Sequence, residues 1–144
     1  MAAKGRADRL DSVIRIAEEA EQQAFADLAK CREEMAQQEE KLEDLQSYRE
    51  EYHQGMRETG GSMGIQQVQN RYAFLQKLEV AIDGQQQQIV AWKEHEERLQ
   101  QVWLEKRVRC RALNKASEQR REQLRREANR KEQKVADDLA LNRK

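Results

Sequence analysis

An all-α fold is what this sequence predicts: a long two-helix antiparallel coiled-coil hairpin, with helix 2 longer than helix 1. Four observations carry that expectation. Charged residues make up 38% of the 144 residues, aromatics only 5%, and mean hydropathy is −1.13. So few apolar side chains cannot offset the entropy of ordering a compact core, but they suffice for long helices that bury one narrow seam. Proline is absent, whereas disordered chains of similar polarity are usually rich in it. The bulk of the chain is Ala, Leu, Glu, Gln, Lys and Arg, all strong helix formers. Lastly, the turn-forming residues gather at one point: "RETGGSMGI" (57–65) holds Gly60, Gly61 and Gly64, and Gly55 lies just before it.

Helix 1 is expected over about residues 6–57, because a 3–4 apolar spacing runs through that stretch. One row is Ala7, Ile14, Glu21, Leu28, Met35, Leu42 and Arg49; its companion is Leu10, Ala17, Ala24, Cys31, Gln38, Leu45 and Tyr52. Together they form an imperfect but sustained heptad seam. The glycine-rich tip, residues 58–64, reverses the chain; Gly60 suits a left-handed helix end and Ser62 a helix N-cap. Helix 2 is expected over about residues 65–138. Its rows are Val68, Leu75, Ile82, Ile89, Glu96, Trp103 and Cys110, and Leu78, Gln85, Trp92, Leu99, Lys106 and Leu113. Two such helices around one break fold most simply as a hairpin, making residues 1–144 a single coiled-coil unit.

Register follows from pairing residues whose numbers have a constant sum. A sum near 127 sets Glu21 against Lys106, Ala24 against Trp103, Leu28 against Leu99 and Met35 against Trp92, and faces Cys31 with Glu96; a sum near 120 sets Ala24 on Glu96 and Ile14 on Lys106. The first matches charge and size better. In it, helix 2 overhangs helix 1 beyond Arg120, and an overhang without a partner should fray.

Net charge is zero, yet residues 1–104 hold 13 Lys+Arg against 20 Asp+Glu, and residues 105–144 hold 14 against 7. The basic end, "KASEQRREQLRREANRKEQK", contains Arg120, Arg121, Arg125, Arg126 and Arg130. A nucleic-acid reader of this kind needs a basic region feeding a dimerising zipper. Here the basic helix comes last, and Glu118, Glu122, Glu127 and Glu132 dilute its field. An acidic protein surface suits it better than nucleic acid or plain solvation.

No apolar run approaches the roughly 18 residues of a membrane span, and MAAKGRADRL lacks a signal-peptide stretch. Cys31 and Cys110 are isolated thiols, so the chain reads as cytosolic with reduced cysteines. His53 and His95 have no second ligand at metal spacing, no phosphate loop is present, and no nucleophile–base pair is apparent. The expectation is a protein that is not an enzyme and carries no metal or cofactor. "QQQQ" (85–88) reads as a polar helix face, Gly84 as a tolerated helix glycine, and Trp92 and Trp103 as seam packing. The remaining signal is aromatic. Tyr48 and Tyr52 in "LQSYREEY" come level with Leu78 and Phe74 in "FLQKLEVAI", with Tyr72 beside them, near the tip of a structure too thin to bury them all. Exposed clusters of this kind mark protein docking.

The order Leu-x-x-Tyr-x-x-x-Tyr (45–52), glycine tip, Phe-x-x-x-Leu-x-x-Ala (74–81), with "RLDSVIRIAEEAEQQA" (9–24) before it and Trp92 after, resembles the flagellar export protein FliJ family over roughly residues 6–115. The resemblance implies a two-helix coiled coil like the stalk subunit of rotary ATP synthases, within the flagellar type III export apparatus. It implies docking in the hexameric export ATPase, contact with the membrane export gate, and handling of export chaperones. Its place would be the cytoplasm, peripheral at the inner-membrane export apparatus, with membrane association only through partners. Carried onto this chain, the gate-binding positions are Leu45, Tyr48, Tyr52, Phe74, Leu78 and Ala81, while the basic tail becomes the expected ATPase-binding segment. Lys41 and Gln85 depart from the family pattern, where Gln and His occur in some relatives. A virulence-type secretion stalk or chaperone escort has the same shape and is the alternative reading, with a basic-helix nucleic-acid binder behind it.

Overall fold

The computed structural model describes residues 2–59, 61 and 63–143. It consists of two helices, α1 (Ala2–Glu58, 57 residues) and α2 (Ile65–Asn142, 78 residues), paired as a hairpin. No strand occurs among the described residues. α1 begins at residue 2 rather than about 6, and α2 ends at 142 rather than about 138. With no proline to stop it, a formed helix extends at little cost per added residue.

The heptad rows locate the core. Among the described residues, all ten buried apolar ones sit on the rows read from the sequence: Ala17, Ala24, Leu28, Cys31 and Met35 on α1, and Leu75, Leu78, Ile82, Ile89 and Cys110 on α2. Every other described seam position is half-buried, including the polar members Glu21, Gln38, Gln85, Glu96 and Lys106. Trp92 and Trp103 are likewise half-buried on the seam, Trp92 edge-on to His95 at 5.9 Å and Trp103 under the Arg107 guanidinium at 5.2 Å.

Contacts group the chain into two compact units, Met1–Ala24 with Val102–Lys144, and Phe25–Gln101. In the second, antiparallel pairing is direct. Arg32 lies 3.7 Å from Glu96, and Arg49 lies 3.2 Å from Glu79. Half-exposed pairs of this kind contribute between about zero and 1 kcal/mol each. A polar layer does more for specificity: the Gln85 amide donates to the Gln38 carbonyl at 2.9 Å and to its side-chain oxygen at 2.8 Å. A slip of one heptad would strand both amides inside the seam, which is how one polar core layer fixes register. The Arg32–Glu96 and Arg49–Glu79 contacts lie close to a sum of 127 rather than 120.

In the first unit the expected Glu21–Lys106 pair does not form. Glu21 accepts a hydrogen bond from the Cys110 thiol instead, one turn further along α2. Helical side chains lean toward the N-terminus of their own helix, and in an antiparallel partner that direction leads from Lys106 toward Cys110.

The turn is closed by short-range bonds. Thr59 donates from its backbone N (3.1 Å) and its hydroxyl (2.8 Å) to the Gly55 carbonyl, Arg71 donates to the Thr59 hydroxyl at 3.0 Å, and Val68 N donates to Gly64 O at 3.2 Å. The left-handed residue is Gly61, with φ +89°. Gly60 and Ser62, expected to carry the helix end and the N-cap, lie outside the described residues. A side chain at Gly61 meets no neighbour but is strained by that φ; one at Gly84, inside α2, meets open space. Gly61→Ala is therefore expected to lower stability by about 1–2 kcal/mol. Gly84→Ala is expected to raise it by about 1 kcal/mol. Urea titration of the two variants checks both signs.

Candidate functional site

Three features stand out once the seam is accounted for: an aromatic cluster beside the turn, two buried thiols, and a basic overhang.

The cluster belongs to the second unit. Tyr48 and Tyr52 stand one helical turn apart on α1, so both reach Phe74 across the seam, with ring centroids 5.9 Å and 4.8 Å away. The Tyr48 contact is edge-on, the arrangement the ring quadrupoles favour. Phe74 and Tyr48 are exposed, Tyr48 at 50%, while Tyr52 and Leu45 are half-buried. Ala81 is exposed at the edge of the same stretch, and Tyr72 is exposed as well. Leu78 differs from the rest. At 7% exposure it belongs to the hairpin core. The two departures from the family pattern also separate here: Lys41 is exposed, whereas Gln85 spends its amide on Gln38 inside the seam.

Burial pushes both thiols above the ordinary cysteine value. At Cys31 the Glu96 carboxylate adds to this and Arg32 opposes it; at Cys110 the hydrogen bond to Glu21 and the charges of Glu21 and Glu18 add, and Arg109 opposes. The folded thiols therefore hold their protons more tightly than the unfolded ones. Their contribution to stability is complete below the ordinary thiol range and is lost as pH rises above about 8.5 toward the raised folded values. The urea midpoint is expected to fall between about pH 8 and 10, and to fall less in a Cys31→Ser, Cys110→Ser variant, whose hydroxyls do not titrate there.

The overhang lies in the first unit. Ser117 is the last buried residue of α2, Arg120 and Glu122 are half-buried, and every described residue from Gln123 to Arg143 is exposed. Arg125 and Arg126 lean on Glu122 at 2.9 and 3.5 Å, while Arg121 and Arg130 are exposed without an ion pair among the described residues. A concavity of about 670 Å3 along residues 118–130 is open helix flank rather than an enclosed pocket. A smaller groove, about 310 Å3, runs between the helices in the same unit, with Val13, Ile16, Ala17 and Ala20 as its floor and Lys106 and Arg109 at its rim. The heptad reading missed it because Val13 and Ile16 lie off the seam; two β-branched residues on an otherwise polar face were the available signal.

No group of three or more His, Cys, Asp or Glu side chains placed to hold a metal occurs among the described residues, and no helix is long and apolar enough to cross a membrane. The chemistry on offer is contact: exposed rings at one place and guanidinium groups at another, mounted on paired helices. The fold places the molecule in the class of two-helix coiled-coil hairpins. A family model described as flagellar FliJ protein matches residues 6–143, nearly the whole chain. The chain belongs to the FliJ family, the non-catalytic stalk proteins of the flagellar export apparatus. No curated protein and no solved structure matches it.

Proposed function

We propose that this protein is the stalk that links the export ATPase hexamer to the membrane export gate of the flagellar type III apparatus, and that it also handles export chaperones. It works at the cytoplasmic face of the inner membrane, held there through its partners. In this reading the end with both termini and the basic overhang engages the ATPase. Leu45, Tyr48, Tyr52, Phe74 and Ala81, supported by Leu78, engage the gate.

The observation that supports it most is the Tyr48–Tyr52–Phe74 cluster. Two of its three rings are exposed on a pair of helices too thin to bury them, and they fall where the family resemblance puts gate contacts. Co-purification with the export ATPase, with ATP turnover measured with and without the chain, tests the reading as a whole; no association and unchanged turnover would end it. The patch has its own test. Tyr48→Ala combined with Phe74→Ala is expected to leave far-UV CD intact, lower the melting midpoint by only a few degrees, and weaken gate binding by at least tenfold, since such rings dominate interface energies. A collapse of the melting transition would show the rings to be core instead.

A further inference from the structure

The groove between the helices of the first unit, about 310 Å3, has an apolar floor that α2 leaves open. Val13, Ile16, Ala17 and Ala20 repeat at the three–four spacing of a seam row, yet Val13 is 40% and Ile16 62% exposed. At 100° per residue these two stand about 40° and 100° round from buried Ala17, on one side of the helix pair. On the same side of α2, Val102 is 41% exposed and Leu113 is half-buried. The hairpin thus carries a second, partial apolar row beside its seam. A helix edge with that spacing is what a third helix of a coiled coil covers.

Charge on this side has one sign. Over the paired stretch, α1 to Ala24 and α2 from Val102 to Glu122, it holds Arg9, Lys106, Arg109 and Arg120, all within about 100° of the seam. None of the four has an ion pair among the described residues. The nearest acids of the stretch on that side, Glu105 and Glu19, lie about 140° and 160° round, on the backs of the helices. Asp27 comes about two turns beyond Ala20 along α1. The opposite side of the same stretch is mixed, with Asp11, Glu18, Glu21 and Glu118 beside Arg107 and Arg111.

We propose that the groove from Val13 to Ala20 takes a third helix from a partner protein, one with an aliphatic face and carboxylates along its edges. The floor sets the aliphatic face, and the small side chains of Ala17 and Ala20 let a helix axis come close. Lys106 and Arg109 at the rim, with Arg9 and Arg120 at the ends, set the sign of the edges. The occupant is a helix because an extended segment would leave its backbone N–H groups without partners against two helices whose own are paired. A second copy docking by the same face brings the same cations to the contact. A bilayer suits a convex apolar face, and this floor is recessed between two rims. The inference adds a surface to the ATPase and gate contacts proposed above and depends on neither.

The test uses the full chain and a fluorescein-labelled, side-chain-stapled helical peptide of about 18 residues, since a free helix of that length is marginal. Leucines repeat along one face at alternating spacings of three and four, and glutamates line both edges. Fluorescence anisotropy should show saturable binding that weakens with added salt and is at least tenfold weaker for a lysine-edged peptide. Ile16→Asp should weaken binding at least tenfold by spoiling the floor. Arg9→Glu with Arg109→Glu should do the same and bind the lysine-edged peptide more tightly than the parent does. All three positions are exposed, so far-UV CD and the melting midpoint should stay within error of the parent. Undiminished binding by Ile16→Asp, equal binding of both peptides by the parent, or no binding up to about 1 mM overturns the proposal. So does a dimer of the chain alone, seen by sedimentation velocity and abolished by Ile16→Asp, because then a second copy fills the groove. Sedimentation with phosphatidylglycerol vesicles that Ile16→Asp abolishes would overturn it too, assigning the face to a lipid surface. No step involves the export ATPase, so the two readings fail separately.

Discussion

Leu28→Asp is expected to abolish cooperative folding of the hairpin at 25 °C. Leu28 is 1% exposed, one of the two most completely buried large side chains among the described residues. Placing a carboxylate there leaves a charge with no partner in a seam two helices wide, a penalty of several kcal/mol even after protonation or water entry relieves part of it. A seam built from ten buried apolar residues has little in reserve, since whole domains are stable by only about 5–15 kcal/mol. Two further substitutions separate the cavity from the charge. Leu28→Ala is expected to destabilise by about 2–5 kcal/mol and Leu28→Met by less than about 1.5 kcal/mol. A surface control completes the set: Ile16, 62% exposed in the first unit, should accept aspartate with a change of no more than about 0.5 kcal/mol. Urea titrations followed at 222 nm rank all four. A folded, cooperatively melting Leu28→Asp chain would mean that the seam does not hold the helices together.

That ranking could be drawn up from the sequence because heptad spacing maps directly onto burial in a two-helix pair. Leu28 and Ile82 stood on the rows, and both prove to be the most buried residues. Gln38 and Gln85 stood on the rows as polar members, but a sum near 127 sets Gln38 against Ile89 and Gln85 against Leu42; that their side chains meet in a hydrogen-bonded layer was not legible. What the rows could not supply is the direction of each side chain along the helix. Glu21 reaches Cys110 rather than Lys106 for that reason, since a constant-sum register pairs Cα positions and not side-chain tips. The turn was legible as a place, through its glycines, but not as a set of bonds. Thr59 and Arg71, which close it, have no special spacing in the sequence.

The candidate sites divide along the same line. Tyr48, Tyr52 and Phe74 were found together because ring positions follow from register. Leu78 was grouped with them by proximity, and only burial separates it from them as a core residue. The apolar residues of the overhang fit the heptad in part: Leu124 continues the spacing of seven from Cys110 and Ser117, and Ala128 and Val135 are seven apart, but the steps from Leu124 to Val135 and from Ala128 to Leu139 are eleven.

Reversing Arg121, Arg125 and Arg126 to glutamate is expected to weaken association with the export ATPase by about a hundredfold, through six units of charge on one short helical segment. Part of any loss could come from the helix rather than the contact. Glu122 now bonds Arg125 at 2.9 Å and lies 3.5 Å from Arg126, so the triple variant replaces two attractive spacings by two repulsive ones, each worth about 0.2–0.5 kcal/mol. Adding Glu122→Arg repairs those spacings with the signs exchanged and leaves the segment still strongly more acidic than the parent. If the cations contact the ATPase, the fourfold variant should regain helicity by far-UV CD and still fail to bind. If it regains binding together with helicity, the overhang serves as a shape, and its charges are not what the ATPase reads. Binding by the triple variant at the parent affinity would place the ATPase contact elsewhere on the chain. Salt then offers an independent check, because a contact made by exposed guanidinium groups weakens steeply as ionic strength shortens the Debye length from about 10 Å at 0.1 M, whereas one made by Val135 and Leu139 does not.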